Sequence, residues 1–248
     1  MADSTPEISD SPEVERPMRS LGPEFANGEL SEEAIQELID GDGVDTEWLV
    51  KIGLWDGRDP VRQNAALTLL LLGSVPSEHA KLLPIVGKDT NARVRELAMC
   101  TLGRIELAAD QAVGALLSGL CDTEENVRSA AREALEALLK RKCPDALARM
   151  IEGLRDPRPL VRVICGELLA QVGQWACPKL VEALEHASPG QHVSLKTILK
   201  QLGSSAGEAL ANGLAHAKLR EDALGLLMRF LTLEPALETK LRALSESE

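Results

Sequence analysis

The sequence predicts an all-α protein, a right-handed α-solenoid of about six stacked antiparallel helix pairs with a disordered N-terminal arm. The dipeptide Val-Arg occurs four times, with its arginines 33, 33 and 34 residues apart, and an aspartate precedes each arginine by six residues. A period of roughly twenty to fifty residues is typical of stacked repeats, in which one unit cannot bury its apolar face alone. The four pairs are Asp56 with Arg62, Asp89 with Arg95, Asp122 with Arg128, and Asp156 with Arg162.

The composition agrees with thin helical layers. Hydrophobic residues make up 44% of the chain, which is enough for a packed core, but aromatic residues make up only 2% and tyrosine is absent. The core is therefore predicted to be aliphatic, which suits helices better than a broad sheet. The five cysteines are odd in number and contain no CxxC, so we interpret them as reduced, small core residues.

Each repeat is predicted to contain a helix A, which carries Val-Arg, and a helix B, which ends in a five-residue apolar core. The third residue after the arginine is small in every copy, and small side chains there let two helices approach closely. Asp59 followed by Pro60 predicts an N-cap and a helix start. Asp122 with Glu125 predicts a capping box. The small residues are Ala65, Ala98, Ala131 and Cys165.

The chain is expected to divide into an arm and one repeat domain. Residues 1–28 are acidic and rich in Pro, Ser and Gly, so they cannot bury enough surface to offset the entropy cost of ordering. Their apolar group around Leu21 and Phe25 is available to dock on a partner or on the repeats. We assign a capping helix pair to residues 29–55, regular repeats to 56–186, and degenerate repeats with a C-terminal cap to 187–248.

The net charge of −12 lies almost entirely at the N-terminus. Residues 1–50 contain 14 acidic and 2 basic side chains, whereas residues 51–200 contain 18 acidic and 20 basic ones. A nucleic-acid-binding surface needs a net basic face. We therefore expect no nucleic-acid partner. The sequence begins with no basic region followed by an apolar run, and no segment approaches eighteen uninterrupted apolar residues, so we expect a cytoplasmic protein without a membrane partner.

The pattern D-x-x-x-x-V-R, with small and leucine positions after it in two-helix units, resembles the short HEAT repeats of the phycobilin-lyase type. The resemblance covers roughly residues 30–232. It implies an α-solenoid in which each repeated arginine lies beside the aspartate of a neighbouring loop. Such a ladder of charge-assisted hydrogen bonds is also expected on physical grounds. The ladder consists of the four Asp–Arg pairs given above.

The sequence disfavours several other kinds of site. The arginine row has the spacing of a phosphate-binding strip, but each arginine is matched by an aspartate. Residues 40–45 resemble the opening of a calcium loop but lack its later ligands. The four histidines share no spacing that would bring metal ligands together, and no Ser or Cys has a catalytic context such as G-x-S-x-G. We therefore predict no catalytic residue, no cofactor and no metal.

The sequence favours a noncatalytic scaffold or adaptor that binds a protein partner of unknown identity. If the B helices line the inner surface of the array, their non-core positions form a binding ridge of mixed charge, which favours a protein over a polyanion. One alternative is a bilin lyase-like or chaperone-like enzyme component, which the resemblance alone suggests. A HEAT-like DNA glycosylase is disfavoured because it needs a basic groove with aromatic side chains. The predicted ridge residues are Lys81, Ser118, Arg149, Glu152, Lys179, Glu182 and Asn212.

Overall fold

The computed structural model describes residue 25 and residues 28–41, 44–73, 82–104, 109–216 and 218–233. Every regular element in these ranges is helical, so the predicted all-α class is confirmed. Short 3-10 helices lie at Gly53–Trp55, Gln174–Ala176 and Gly203–Ala206. The α-helices are α1 (Glu32–Asp40), α2 (Thr46–Lys51), α3 (Asp59–Leu72), α4 (Leu83–Val86), α5 (Ala92–Arg104), α6 (Ala109–Gly119), α7 (Glu125–Lys140), α8 (Pro144–Gly153), α9 (Pro159–Leu169), α10 (Cys177–Leu184), α11 (Pro189–Leu202), α12 (Gly207–Gly213) and α13 (Arg220–Leu233).

The chain forms two compact units, Met1–Ala137 and Leu138–Glu248. In the first unit α1 and α2 pack against α3, and α3 packs along α5. The B helices α4 and α6 pack against each other and against α5. In the second unit the B helices α8, α10 and α12 pack in succession, as do the A helices α9, α11 and α13. Helices of the same kind are therefore neighbours within each unit, as stacked helix pairs require.

The repeated apolar positions form the core of both units. All four valines of the Val-Arg dipeptides are completely buried. The small residue three positions after each arginine is also buried in every copy. A Cβ on Gly103 of α5 would lie 2.6 Å from the Cβ of Ala134 in α7, so these two A helices approach closely. The buried valines are Val61, Val94, Val127 and Val161.

The first helices begin where the sequence predicts but not always through the predicted cap. Ser31 accepts a hydrogen bond from the backbone N–H of Ala34 and caps α1, as its position predicts. The N-cap of α3 is Arg58, not Asp59, and no side chain caps it. Asp59 is the first helical residue and instead binds Arg62. The expected N-cap at Asp59 is therefore wrong, because its carboxylate is used by a side chain of its own helix.

Phe25 packs in the core of the first unit, although the sequence analysis places it in the arm. Its side chain is completely buried, and its ring meets that of Trp48 edge to face, with ring centroids 6.1 Å apart. The side-chain amide of Asn64 in α3 donates to the carbonyl oxygens of Phe25 and Gly28, at 3.0 and 2.8 Å. The carbonyl oxygen of that amide accepts the backbone N–H of Leu30 at 3.0 Å. Phe25 therefore docks on the first unit, which is one of the two positions expected for the apolar group around it.

Several predictions lie outside the described residues, namely Lys81, the rest of the arm before residue 25, and the C-terminal cap beyond residue 233. The domain boundaries after residues 28, 55 and 186, the number of helix pairs and the handedness stay predictions. None of the helices in the described ranges is both long enough and apolar enough to cross a membrane.

Candidate functional site

The repeated aspartate closes the loop that leads into each A helix. In every copy one carboxylate oxygen accepts the backbone N–H of the residue two positions later, at 2.7 to 3.0 Å. For Asp122 this donor is Glu124, so the predicted capping box with Glu125 is wrong. This local turn sets the direction in which the chain enters the helix. The donors are Arg58, Asn91, Glu124 and Arg158.

The interval of six residues between aspartate and arginine comes from a backbone contact. The Nη1 atom of each arginine donates to the backbone carbonyl oxygen of the aspartate six positions earlier, at 2.7 to 2.9 Å. In three copies Nη1 also donates to the carbonyl of the following residue. The arginine of a repeat therefore fastens its own loop to its own A helix through main-chain acceptors. The four arginines are Arg62, Arg95, Arg128 and Arg162.

For Arg62 and Arg95 the other edge of the guanidinium binds the carboxylate of the next loop. The Nε and Nη2 atoms of Arg62 lie 2.8 and 3.1 Å from the two carboxylate oxygens of Asp89. The same atoms of Arg95 lie 2.8 and 2.7 Å from those of Asp122. All four side chains are only 10 to 13% exposed. Each contact is a bidentate, charge-assisted ion pair between residues 27 positions apart.

The aspartates Asp56 and Asp156 have a different partner. Each accepts hydrogen bonds from the Nε and Nη2 atoms of the arginine two residues later, Arg58 and Arg158 respectively. The sequence analysis did not consider these two arginines. The signal that identifies them is the residue two positions after the aspartate, which is arginine in these copies and Asn91 or Glu124 in the others.

These contacts favour the ionised form of three loop carboxylates, those of Asp56, Asp122 and Asp156. Hydrogen bonding from Arg95 lowers the pKa of Asp122, and hydrogen bonding from Arg158 lowers that of Asp156. Burial opposes ionisation of Asp56, but its hydrogen bonds with Arg58 outweigh burial and lower its pKa. The hydrogen bonds that Arg95 donates to Asp122 in turn raise the pKa of Arg95. The arginine and aspartate charges compensate each other locally, so Arg62 and Arg95 do not form a phosphate-binding strip.

The residues predicted for the ridge lie on the surface wherever the structure describes them. Ser118 in the first unit is exposed, and its hydroxyl donates to the carbonyl of Gly114. In the second unit Arg149 pairs with Glu152 on α8, and Lys179 pairs with Glu182 on α10. Because α8, α10 and α12 pack in succession, these two pairs and Asn212 of α12 lie on neighbouring helices of the second unit.

A shallow groove of about 140 Å³, here called the B groove, lies between α10 and α12. Glu182 and Asn212 both line it, so the structure brings two of the predicted ridge residues together. Its floor is apolar. Glu185, which also lines the groove, forms an ion pair with Lys218, whose Nζ atom lies 3.3 Å from a carboxylate oxygen. The sequence analysis did not identify the remaining residues that line it, namely Pro178, Val181, Glu185, Ala209, Gly213, His216 and Leu219.

In the described residues, the cysteines and histidines considered above as catalytic or metal-binding groups have structural roles or no ligand partners. Burial raises the pKa of Cys165 to about 12 and that of Cys177 to about 11, so neither thiol is an activated nucleophile. Cys121, in contrast, is exposed, so the prediction that the cysteines are core residues is wrong for this position. Asp222 of α13 accepts a hydrogen bond from Lys196 at 2.9 Å and lies 2.6 Å from Nε2 of His192, which ties α13 to α11. Among the described residues no group of three or more His, Cys, Asp or Glu side chains could hold a metal ion.

Comparison with known proteins identifies the repeats. The family model for HEAT repeats matches residues 79–162. No curated protein matches the sequence significantly. Among solved structures, an engineered protein is 18% identical with a TM-score of 0.39, and the match covers 82% of this chain and 61% of that protein. The chain thus spans less than two thirds of that protein's length.

Two further structures are similar at the same TM-score of 0.39. The complex of CpcE and CpcF of phycocyanin lyase from Nostoc sp. is 24% identical, with 75% of this chain and 77% of that chain covered. A designed armadillo repeat protein in complex with the peptide (KR)4 is 20% identical, with 90% of this chain and 95% of that chain covered.

The all-α units with repeated helix pairs define a helical-repeat protein. The family match covers three of the four Val-Arg dipeptides and the loops in front of them. Residues 79–162 of the chain are similar to HEAT repeats. The narrower resemblance to the repeats of phycobilin lyases stays a prediction.

Proposed function

We propose that this protein is a noncatalytic scaffold or adaptor that binds a protein partner through the B-helix ridge of its second unit. The observation that carries the proposal is the surface around the B groove. There α10 buries Leu180, Val181 and Leu184 and exposes Lys179 and Glu182. Because Val181 also lines the B groove, a partner there would meet an apolar floor beside exposed charged side chains.

The exposed pairs of the ridge are suited to binding rather than to stability. The side chains of Lys179 and Glu182 are 50 and 63% exposed, and those of Arg149 and Glu152 are similarly open. Pairs this exposed contribute about 0–1 kcal/mol to folding, so a partner can rearrange them at little cost. Their mixed charge next to an apolar groove favours a protein surface over a polyanion.

Site-specific photocrosslinking tests this proposal. A photoreactive phenylalanine analogue at Asn212, in the B groove, should capture a protein from a lysate of the native cells. The same analogue at Lys200, an exposed residue of the A helix α11, is the matched control and should capture it much less. Glu182→Arg combined with the Asn212 probe should reduce the crosslink, because it changes a charge that lines the same groove.

Other results would contradict the proposed ridge or favour a different function. Equal capture from Asn212 and Lys200, or capture that Glu182→Arg does not change, would count against the ridge. A bilin that changes its absorbance on mixing with the protein would replace the scaffold by the lyase-like alternative. Retention on DNA that declines with salt would favour the glycosylase-like alternative.

A further inference from the structure

The fourth Val-Arg arginine differs from the first two in what its guanidinium binds. The Nη1 atom of Arg162 donates to the carbonyl oxygens of Asp156 and Pro157, at 2.7 and 3.0 Å. Within the described residues, its Nε and Nη2 atoms have no acceptor. In Arg62 and Arg95 these are the two atoms that bind the carboxylate of the next loop. Arg162 is correspondingly exposed, whereas Arg62 is 8% exposed.

The loop after α10 lacks the carboxylate that Arg62 and Arg95 bind. The carboxylate that binds Arg62 or Arg95 comes 27 residues later in the sequence, and that position after Arg162 is Pro189. The residues around it, Ser188 and Gly190, also offer no carboxylate. Ser188 is the N-cap of α11 and makes no side-chain capping bond, whereas Asp89 and Asp122 accept an N–H in front of the next A helix. Both contacts of the missing aspartate are therefore open.

The guanidinium lines a groove of mixed polarity, here called the A groove, which lies between α9 and α11. Its volume is about 420 Å³, and Val163 and Val193 on its two sides are 56 and 65% exposed. Arg162 and Glu167 are the charged residues that line it, with Glu167 five residues farther along α9. The other lining residues are Pro159, Gly166, Ser194, Thr197, Ile198 and Gln201.

We propose that the A groove binds an acidic, extended segment of a partner protein. One Asp or Glu carboxylate of the segment pairs with Nε and Nη2 of Arg162, as Asp89 and Asp122 do in the first unit. An apolar side chain close to this carboxylate covers Val163 and Val193. The partner thus supplies the carboxylate that the loop at Ser188 lacks.

The geometry favours a carboxylate because the arginine is already positioned. Its two bonds to main-chain carbonyls fix the guanidinium, so less side-chain entropy is lost when the outer edge binds. A planar fork matches a carboxylate with two parallel bonds. A basic segment would place like charge against Arg162, and a nucleic acid would need several free cations along its path. This site belongs to the A helices, so it goes beyond the ridge proposed above.

Fluorescence anisotropy with the full-length chain tests the proposal. The probes are three labelled ten-residue peptides of alternating polar and leucine residues, in which the polar residue is Asp, Asn or Lys. The Asp peptide should bind the wild type, and Arg162→Ala should weaken this binding about tenfold or more, as expected for a charged hydrogen-bonded pair. The matched control Arg155→Ala removes the same charge from an exposed arginine of the preceding loop and should change the affinity less than twofold.

Two further variants keep the test independent of folding. Arg162→Lys keeps the positive charge but removes the planar guanidinium, so the Asp peptide should bind this variant as weakly as it binds Arg162→Ala. Val193→Glu changes a highly exposed position and should abolish binding of the Asp peptide by repulsion. Equal effects of Arg162→Ala and Arg155→Ala would overturn the proposal, as would equal binding of the Asn peptide or stronger binding of the Lys peptide. Complete competition by 10 mM inorganic phosphate would show an anion site rather than a peptide site. A crosslink at Asn212 would survive all of these failures, so the two proposals fail separately.

Discussion

Replacing Arg95 by alanine should destabilise the first unit strongly. Arg95→Ala removes two short bonds to Asp122, at 2.7 and 2.8 Å, and two bonds to loop carbonyls. The two side chains of the pair are only 13 and 12% exposed, so solvent screens their interaction weakly. Removing one partner of a buried ion pair costs about 3–5 kcal/mol. Asp122 keeps its bond from the N–H of Glu124, so we expect about 2–4 kcal/mol here.

The matched control is Arg93 on the same helix. Its side chain is 46% exposed and pairs with Glu96 three residues later, so Arg93→Ala should cost less than about 0.5 kcal/mol. The assay is urea and thermal unfolding followed by circular dichroism at 222 nm. The expected difference corresponds to roughly 5–12 °C in melting temperature for a chain of this size. Equal shifts for Arg93→Ala and Arg95→Ala would refute the argument that the buried row of pairs stabilises the repeats.

The double variant identifies the source of the loss. Arg95→Ala leaves the Asp122 carboxylate without its main donor, whereas adding Asp122→Ala removes that carboxylate. The double variant should therefore be more stable than the sum of the two single losses predicts. Strict additivity would show that Arg95 acts only through the loop carbonyls.

Three other changes have defined outcomes. Because the pKa of Asp122 is lowered in the folded state, its contribution to stability is present above its unfolded pKa of about 3.9 and is lost as pH falls through the folded value. Asp122→Asn should therefore lower the urea midpoint at pH 7, and the difference between variant and wild type should become smaller at pH 2. Asn64→Ala should cost about 2 kcal/mol in urea unfolding and increase amide exchange at Leu30, since it leaves two carbonyls and one N–H without their partner; unchanged exchange would contradict the role of this amide. Gly103→Ala should destabilise by about 1–2 kcal/mol because its Cβ would meet α7, whereas Gly114→Ala, with nothing within 4 Å, should be neutral or stabilising by thermal melting. If both alanines stabilise, the close approach of the helices is not as described.

Local patterns in the sequence were enough to predict the helices and their buried faces. The Val-Arg period located the A helices, and the valines of these dipeptides and the small residues after the arginines are buried. This works because a helix of fixed geometry places residues three and four positions apart on one face, so burial follows from spacing. The α1 cap at Ser31 was also predictable, because the hydroxyl and the N–H it accepts lie within one turn.

The partners of the side chains were decided by the tertiary structure. The sequence shows that Arg62 and Arg95 each follow an aspartate by six residues. In the structure that aspartate contributes its carbonyl oxygen, and both arginines bind the carboxylate that lies 27 residues ahead. Asn64 has no local pattern, yet it binds the chain at residues 25–30. The open guanidinium of Arg162 likewise becomes visible only beside the groove between α9 and α11. Helix formation depends on neighbours along the chain, whereas these contacts depend on the distance and register between separate elements, and one sequence does not contain those distances.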